Sequence, residues 1–67
     1  MLTLSINGKT MQVPPLESLQ ALIRHLDYQP SQIAVAINMQ FIPKNQYAQT
    51  PLNNNDNLEI LSAVQGG

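Results

Sequence analysis

The sequence closes on Gly66-Gly67, and this pair offers the clearest opening for chemistry among its 67 residues. Lacking Cβ atoms, two glycines can take backbone angles closed to other residues and lie flat in a channel too narrow for any side chain. A terminal diglycine therefore suits delivery of its own carboxylate, that of Gly67, into another protein's active site. The plainer account is that glycines at a chain end simply fray, as termini do whatever their composition. What bears on the choice is the body to which the pair is attached. The apolar segment Leu58-Glu59-Ile60-Leu61-Ser62-Ala63-Val64 feeds directly into it. A flexible tail over 64–67, extended at ~3.3 to 3.6 Å per residue, would reach at most ~14 Å into a partner's cleft.

Other routes to chemistry are poorly supplied. His25 is the single histidine and there is no cysteine, so neither a nucleophile–base pair nor a thiolate site can be assembled. Glu17, Asp27, Asp56 and Glu59 are scattered without metal-ligand spacing. The chain is thus expected to act without a catalytic residue, a metal site or a resident cofactor of its own. Arg24 and Lys44 read as solvated charges, or alternatively as groups that pair with a partner. Asp56 reads as a turn former.

Composition narrows the partners. Charged residues are only 10% of the chain, below the usual ~25%, and the formal net charge is −1. That balance carries no electrostatic footprint for nucleic acid or for an anionic membrane, and both are set aside. No apolar run approaches the ~18 residues of a membrane span, and the first residues lack the basic-then-apolar pattern of a leader. A cytoplasmic protein is expected. A chain of this length forms one domain, over 1–67, with a small core.

The elements that must position the tail follow from periodicity. Leu2, Leu4 and Ile6 alternate with Thr3 and Ser5, a two-residue period that marks a strand with one buried face. Asn7-Gly8 tolerates the positive φ angles of a type I′ turn, so Thr10 to Val13 returns as the second strand of a hairpin. Pro14-Pro15 stops that strand and suits the first turn of a helix, which is expected to follow at once. Leu16, Leu19, Leu22, Ile23 and Leu26 recur at three- and four-residue spacing as its buried stripe, while Glu17, Gln20 and Arg24 face water.

Beyond the break at Tyr28-Gln29-Pro30-Ser31, the β-branched segment Ile33-Ala34-Val35-Ala36-Ile37 reads as a strand. If Ile33, Val35 and Ile37 face the helix, Ala34 and Ala36 lie outward. Asn38-Met39-Gln40 is expected to turn into a short edge strand at Phe41-Ile42, and Lys44 to Tyr47 to form an irregular or 3₁₀ stretch with Tyr47 as a lid over the core. Asn53-Asn54-Asn55-Asp56 supplies the longest turn. The last strand begins at Leu58.

The order strand, strand, helix, strand, short strand, strand suits an α+β domain: a mixed four- to five-stranded sheet with one main helix on one face, the β-grasp or ubiquitin-like architecture. Its last strand runs centrally, parallel to the first, and is expected to be apolar on both faces. With Glu59 turned outward, Leu61 and Ala63 would join Ala34 and Ala36 in a neutral patch beside the tail. Such a patch is either a protein-binding surface or the scattered apolar exposure of any protein.

The run Val35 to Lys44, then Tyr47-Ala48-Gln49, Asn55 to Leu61, and Ala63-Val64-Gln65-Gly66-Gly67 resembles the ThiS family, the sulfur carriers of thiamine biosynthesis. The likeness covers nearly the whole chain through the order and spacing of motifs that are individually weak. Asn55 stands where glycine commonly precedes the aspartate, and Tyr47 where tryptophan is common. The resemblance implies a carrier whose Gly67 carboxylate is adenylated by an ATP-dependent, E1-like activating enzyme. It is then converted to a thiocarboxylate with sulfur supplied through that partner, and delivered to a thiazole synthase. Gly66, Gln65, Val64, Ala63, Leu61, Ala34 and Ala36 would be the partner-binding residues. The small subunit of molybdopterin synthase, a plain ubiquitin-like interaction module and a protein-conjugating modifier are the alternatives that share this architecture.

Overall fold

A computed structural model describes residues 1–62. The alternating N-terminal residues form β1 (Leu2–Ile6), which pairs antiparallel with β2 (Lys9–Val13), Leu2 lying opposite Val13 and Ile6 opposite Lys9. The turn between them has positive φ at both Asn7 (53°) and Gly8 (83°), the pattern a type I′ hairpin requires.

The helix is shorter than the leucine spacing predicts. α1 spans Leu19–His25 and does not begin at the prolines; Ser18 is its N-cap, with Oγ accepting from the Ala21 N–H at 3.3 Å. A serine cap satisfies a backbone donor that the preceding residues cannot, so Leu16 is left half-buried in the approach to the helix. The Leu19 N–H is fixed by the Thr50 carbonyl at 2.8 Å. At the other end Asp27 takes φ 65°, its N–H bonding the Arg24 carbonyl while the Tyr28 N–H reaches the Ile23 carbonyl. This is a Schellman ending with aspartate in the place usually given to glycine.

After a 3₁₀ turn at Pro30–Gln32 come β3 (Ile33–Ile37) and β4 (Gln40–Ile42), then a second 3₁₀ segment at Lys44–Gln49 and finally β5 (Asn57–Ser62). The five strands run in the order β2-β1-β5-β3-β4. β5 is parallel to β1 and antiparallel to β3, which makes it central, and β4 lies at an edge.

One face of this sheet carries the core. Leu4, Ile6, Val13, Val35, Ile37, Leu58 and Ile60 meet Leu19, Leu22 and Ile23 of α1, and Tyr47 and Leu52 close the side. Each fully buried Leu or Ile contributes about 1.5–3 kcal/mol relative to exposure, so the core rests on a few residues. Tyr47 is the predicted lid, and its burial raises the pKa of its phenol. The expectation that β5 is apolar on both faces holds on the helix side alone: Asn57, Glu59 and Leu61 alternate outward, and the first two are polar.

Candidate functional site

The end of β5 is the point from which any tail departs, and the sheet fixes it from both sides. On one side Ile33 lies opposite Ser62 and Ala34 opposite Leu61. On the other, β1 stops at Ile6, and the Asn7 side chain takes over as a substitute strand. Its Nδ2 donates to the Ile60 carbonyl at 3.1 Å while its Oδ1 accepts from the Ile60 N–H at 2.8 Å. The Asn7 backbone N–H also bonds the Leu58 carbonyl at 2.9 Å. The parallel ladder is thereby prolonged through Ile60 by an amide side chain that mimics a peptide group. Sequence reasoning took Asn7 only as a turn former; its partner lies 53 residues away, so no local signal exposes the second role.

The opposite end of β5 is held by its own polar network. Asn55 takes φ 71°, the left-handed angle that asparagine tolerates in place of glycine. Asp56 accepts from the Asn53 N–H at 2.9 Å and from Asn38 Nδ2 at 3.1 Å, the turn-forming role expected of it. The Asn38 Oδ1 accepts from the Asn57 N–H at 3.0 Å and the Asn38 N–H reaches the Asn57 carbonyl at 2.7 Å. This clamp holds Asn38 and Met39 both at positive φ, 52° and 70°, in a tight hairpin turn where methionine is unusual. Gln40, expected within the turn, is instead the first residue of β4.

The face of the sheet away from α1 carries Ala34, Ala36 and Leu61, three of the four residues expected in the neutral patch, together with Glu59 and one residue not foreseen. Ala34 and Leu61 face each other across β3 and β5, and Ala36 has Glu59 on one side and Phe41 on the other. Leu61 is 67% exposed and Phe41 64%; Ala34 is exposed and Ala36 half-buried. Phe41 belongs to the same surface because the tight Asn38-Met39 turn places it opposite Ala36 rather than Ile37. The signal lay in that turn length, which decides which side of a strand each residue takes. Ala63, Val64, Gln65, Gly66 and Gly67, named above as binding or modified residues, lie outside the described residues.

Among the described residues no group of three or more His, Cys, Asp or Glu could hold a metal ion, no cavity encloses a small molecule, and no helix is long and apolar enough to cross a membrane. His25 is exposed on α1. What the molecule offers is an open surface beside a fixed strand end.

A mixed sheet of this order, with its helix on one face and its last strand in the middle, defines a β-grasp protein of the ubiquitin-like class. The ThiS family model matches residues 4–67, and the chain belongs to the ThiS family. The crystal structure of a thiamine biosynthesis protein (ThiS) from Geobacter metallireducens superposes with a TM-score of 0.80 at 26% identity, covering 98% of this chain and 100% of that one. The sulfur carrier protein ThiS of Escherichia coli is 30% identical over 61 residues, 91% of this chain and 92% of its own. The protein ycf40 of Porphyra purpurea is 33% identical over 66 residues, 98% of this chain and 93% of its own. A thiazole synthase of Paramagnetospirillum magneticum is 34% identical over 64 residues, 96% of this chain but 20% of that protein.

Proposed function

We propose that this ThiS-family protein carries sulfur for the thiazole ring of thiamine, with the carboxylate of Gly67 as the point of attachment. The single observation that carries the reading is the family match, which runs through the diglycine and ends on Gly67. In the first step a carboxylate oxygen of Gly67 attacks the α-phosphorus of ATP on an E1-like adenylating enzyme, forming an acyl adenylate and releasing pyrophosphate. A carboxylate oxygen is a poor leaving group, and the mixed anhydride turns it into AMP. Hydrosulfide delivered through the partner then attacks the acyl carbon, the C–O bond to AMP breaks, AMP departs and the proton on sulfur is lost to solvent, leaving a thiocarboxylate. Thiazole synthase is the acceptor; the relative that carries a ThiS-like segment within a thiazole synthase supports that pairing.

The chain's own contribution is presentation. The Asn7 clamp and the β3 pairing hold β5 through Ile60, so the tail starts from a fixed point. Nucleotide, magnesium and catalytic groups belong to the partner, and the ATP requirement suits the cytoplasm. Leu61, Ala34 and Ala36, with Phe41, are the docking surface of this reading, and Ala63, Val64, Gln65 and Gly66 are its further partner-binding residues.

Incubation with the adenylating enzyme of the same organism, ATP and magnesium is expected to release pyrophosphate. With the sulfur donor present, intact mass should then show one oxygen exchanged for sulfur at the terminus. Removal of Gly67 should abolish both signals. Absence of exchange with the cognate enzyme present overturns carriage.

A further inference from the structure

The turn that joins β1 and β2 asks little of its first residue. It needs only tolerance of φ 53°, which glycine or aspartate offers as well as Asn7 does. The Asn7 amide goes beyond that demand. Both of its polar atoms are committed to Ile60, 53 residues along the chain, with Nδ2 donating to the carbonyl at 3.1 Å and Oδ1 accepting from the N–H at 2.8 Å.

The β1 ladder has already ended at that level: its last partners are Ile6 and Leu58, while β5 continues to Ser62. Peptide groups alternate in direction along a strand. Those of Leu58 and Ile60 face the β1 side, where Asn7 meets them, so those of Glu59 and Leu61 face β3. β3 therefore cannot take over the Ile60 bonds, although Val35 lies opposite Ile60. Without the amide, a part-buried N–H and C=O lose their partners, and the outgoing end of β5 opens locally to reach water.

We propose that Asn7 is a positioning residue for the adenylation step: its side-chain amide orders the end of β5 before docking, so that the activating enzyme meets that end in one arrangement. The proposal rests on the carrier function given above. Leu61, a docking residue of that reading, directly follows the clamped Ile60, and Gly67 stands seven residues beyond Ile60. In the parent chain the ordering of this segment is completed on folding. In a chain without the clamp it must be completed on the enzyme, which weakens binding while leaving the chemistry of the bound complex as it was. The predicted signature is a raised KM for the carrier with kcat retained.

The test compares the full chain with Asn7→Gly, Asn7→Asp and Ser18→Ala, following pyrophosphate release on the purified adenylating enzyme of the same organism below every melting transition. Asn7→Gly keeps the turn and removes both bonds; KM should rise about tenfold, the equivalent of one or two net hydrogen bonds, with kcat within about twofold. Asn7→Asp keeps the acceptor but sets a carboxylate oxygen against the Ile60 carbonyl, so its KM should rise at least as far. Ser18→Ala removes the cap of α1, lowering stability without touching β5, and should keep the parent's KM. A purely structural clamp would act through stability alone. The proposal is therefore overturned by a parent-like KM in either Asn7 variant, by an equal rise in Ser18→Ala, or by a loss confined to kcat. The carrier reading fails separately, when the parent chain itself releases no pyrophosphate with the same enzyme.

Discussion

The two faces of this sheet are built from alternate residues of the same strands, yet they do different work. Leu58 and Ile60 of β5 point into the core, sealed by Leu19, Leu22 and Ile23. Glu59 and Leu61 point the other way and meet no helix. One strand therefore anchors the fold with every second residue and presents a surface with the rest. The contrast teaches that the core and the outer surface can be perturbed separately on this chain, although the residues concerned are adjacent in sequence.

The strongest way to break that separation is to open the core. Leu22→Ala removes a fully buried side chain and is expected to lower stability by about 2–5 kcal/mol, read from urea denaturation. For so small a domain this is a large share of the whole. Leu61→Glu should do the reverse: stability within about 0.5 kcal/mol of the parent, but slow pyrophosphate release with the adenylating enzyme. A melting temperature that falls as far as that of Leu22→Ala would place Leu61 in the core and erase the distinction between faces. The smallest effect concerns Tyr47. Burial keeps its phenol protonated to higher pH when folded than when unfolded. The associated stability is present below the ordinary value of about 10 and is lost as pH rises through the folded value. Tyr47→Phe should flatten that alkaline decline and leave stability near neutrality little changed.

Much of this architecture is written locally. The alternation in Leu2 to Ile6, the Asn7-Gly8 turn and the β-branched run at Ile33–Ile37 each specify one element, and all three stand where the periodicity predicts. Features decided by competition or by distance were less legible. The leucine spacing extends to Leu16, but the side chain of Ser18 captures the first turn and moves the start of α1 to Leu19. Phe41 escaped notice because the Asn38-Met39 turn places a methionine at φ 70°, against its intrinsic preference, between the β3–β4 pairing and the bonds that Asp56 and Asn57 make to Asn38. Ala34 and Leu61 were legible as an exposed pair because strict alternation settles them once Val35 and Ile60 are buried. The Asn7 clamp on Ile60 had no sequence signature at all.

The strand order also governs how the molecule comes into being. The β1–β2 and β3–β4 hairpins never pair with each other; β5 alone joins them, and it follows both along the chain. Leu58 and Ile60, the inward residues of that strand, fill the middle of the sheet between them. A fragment ending before Asn57 is therefore expected to be cut by proteases that spare the full chain.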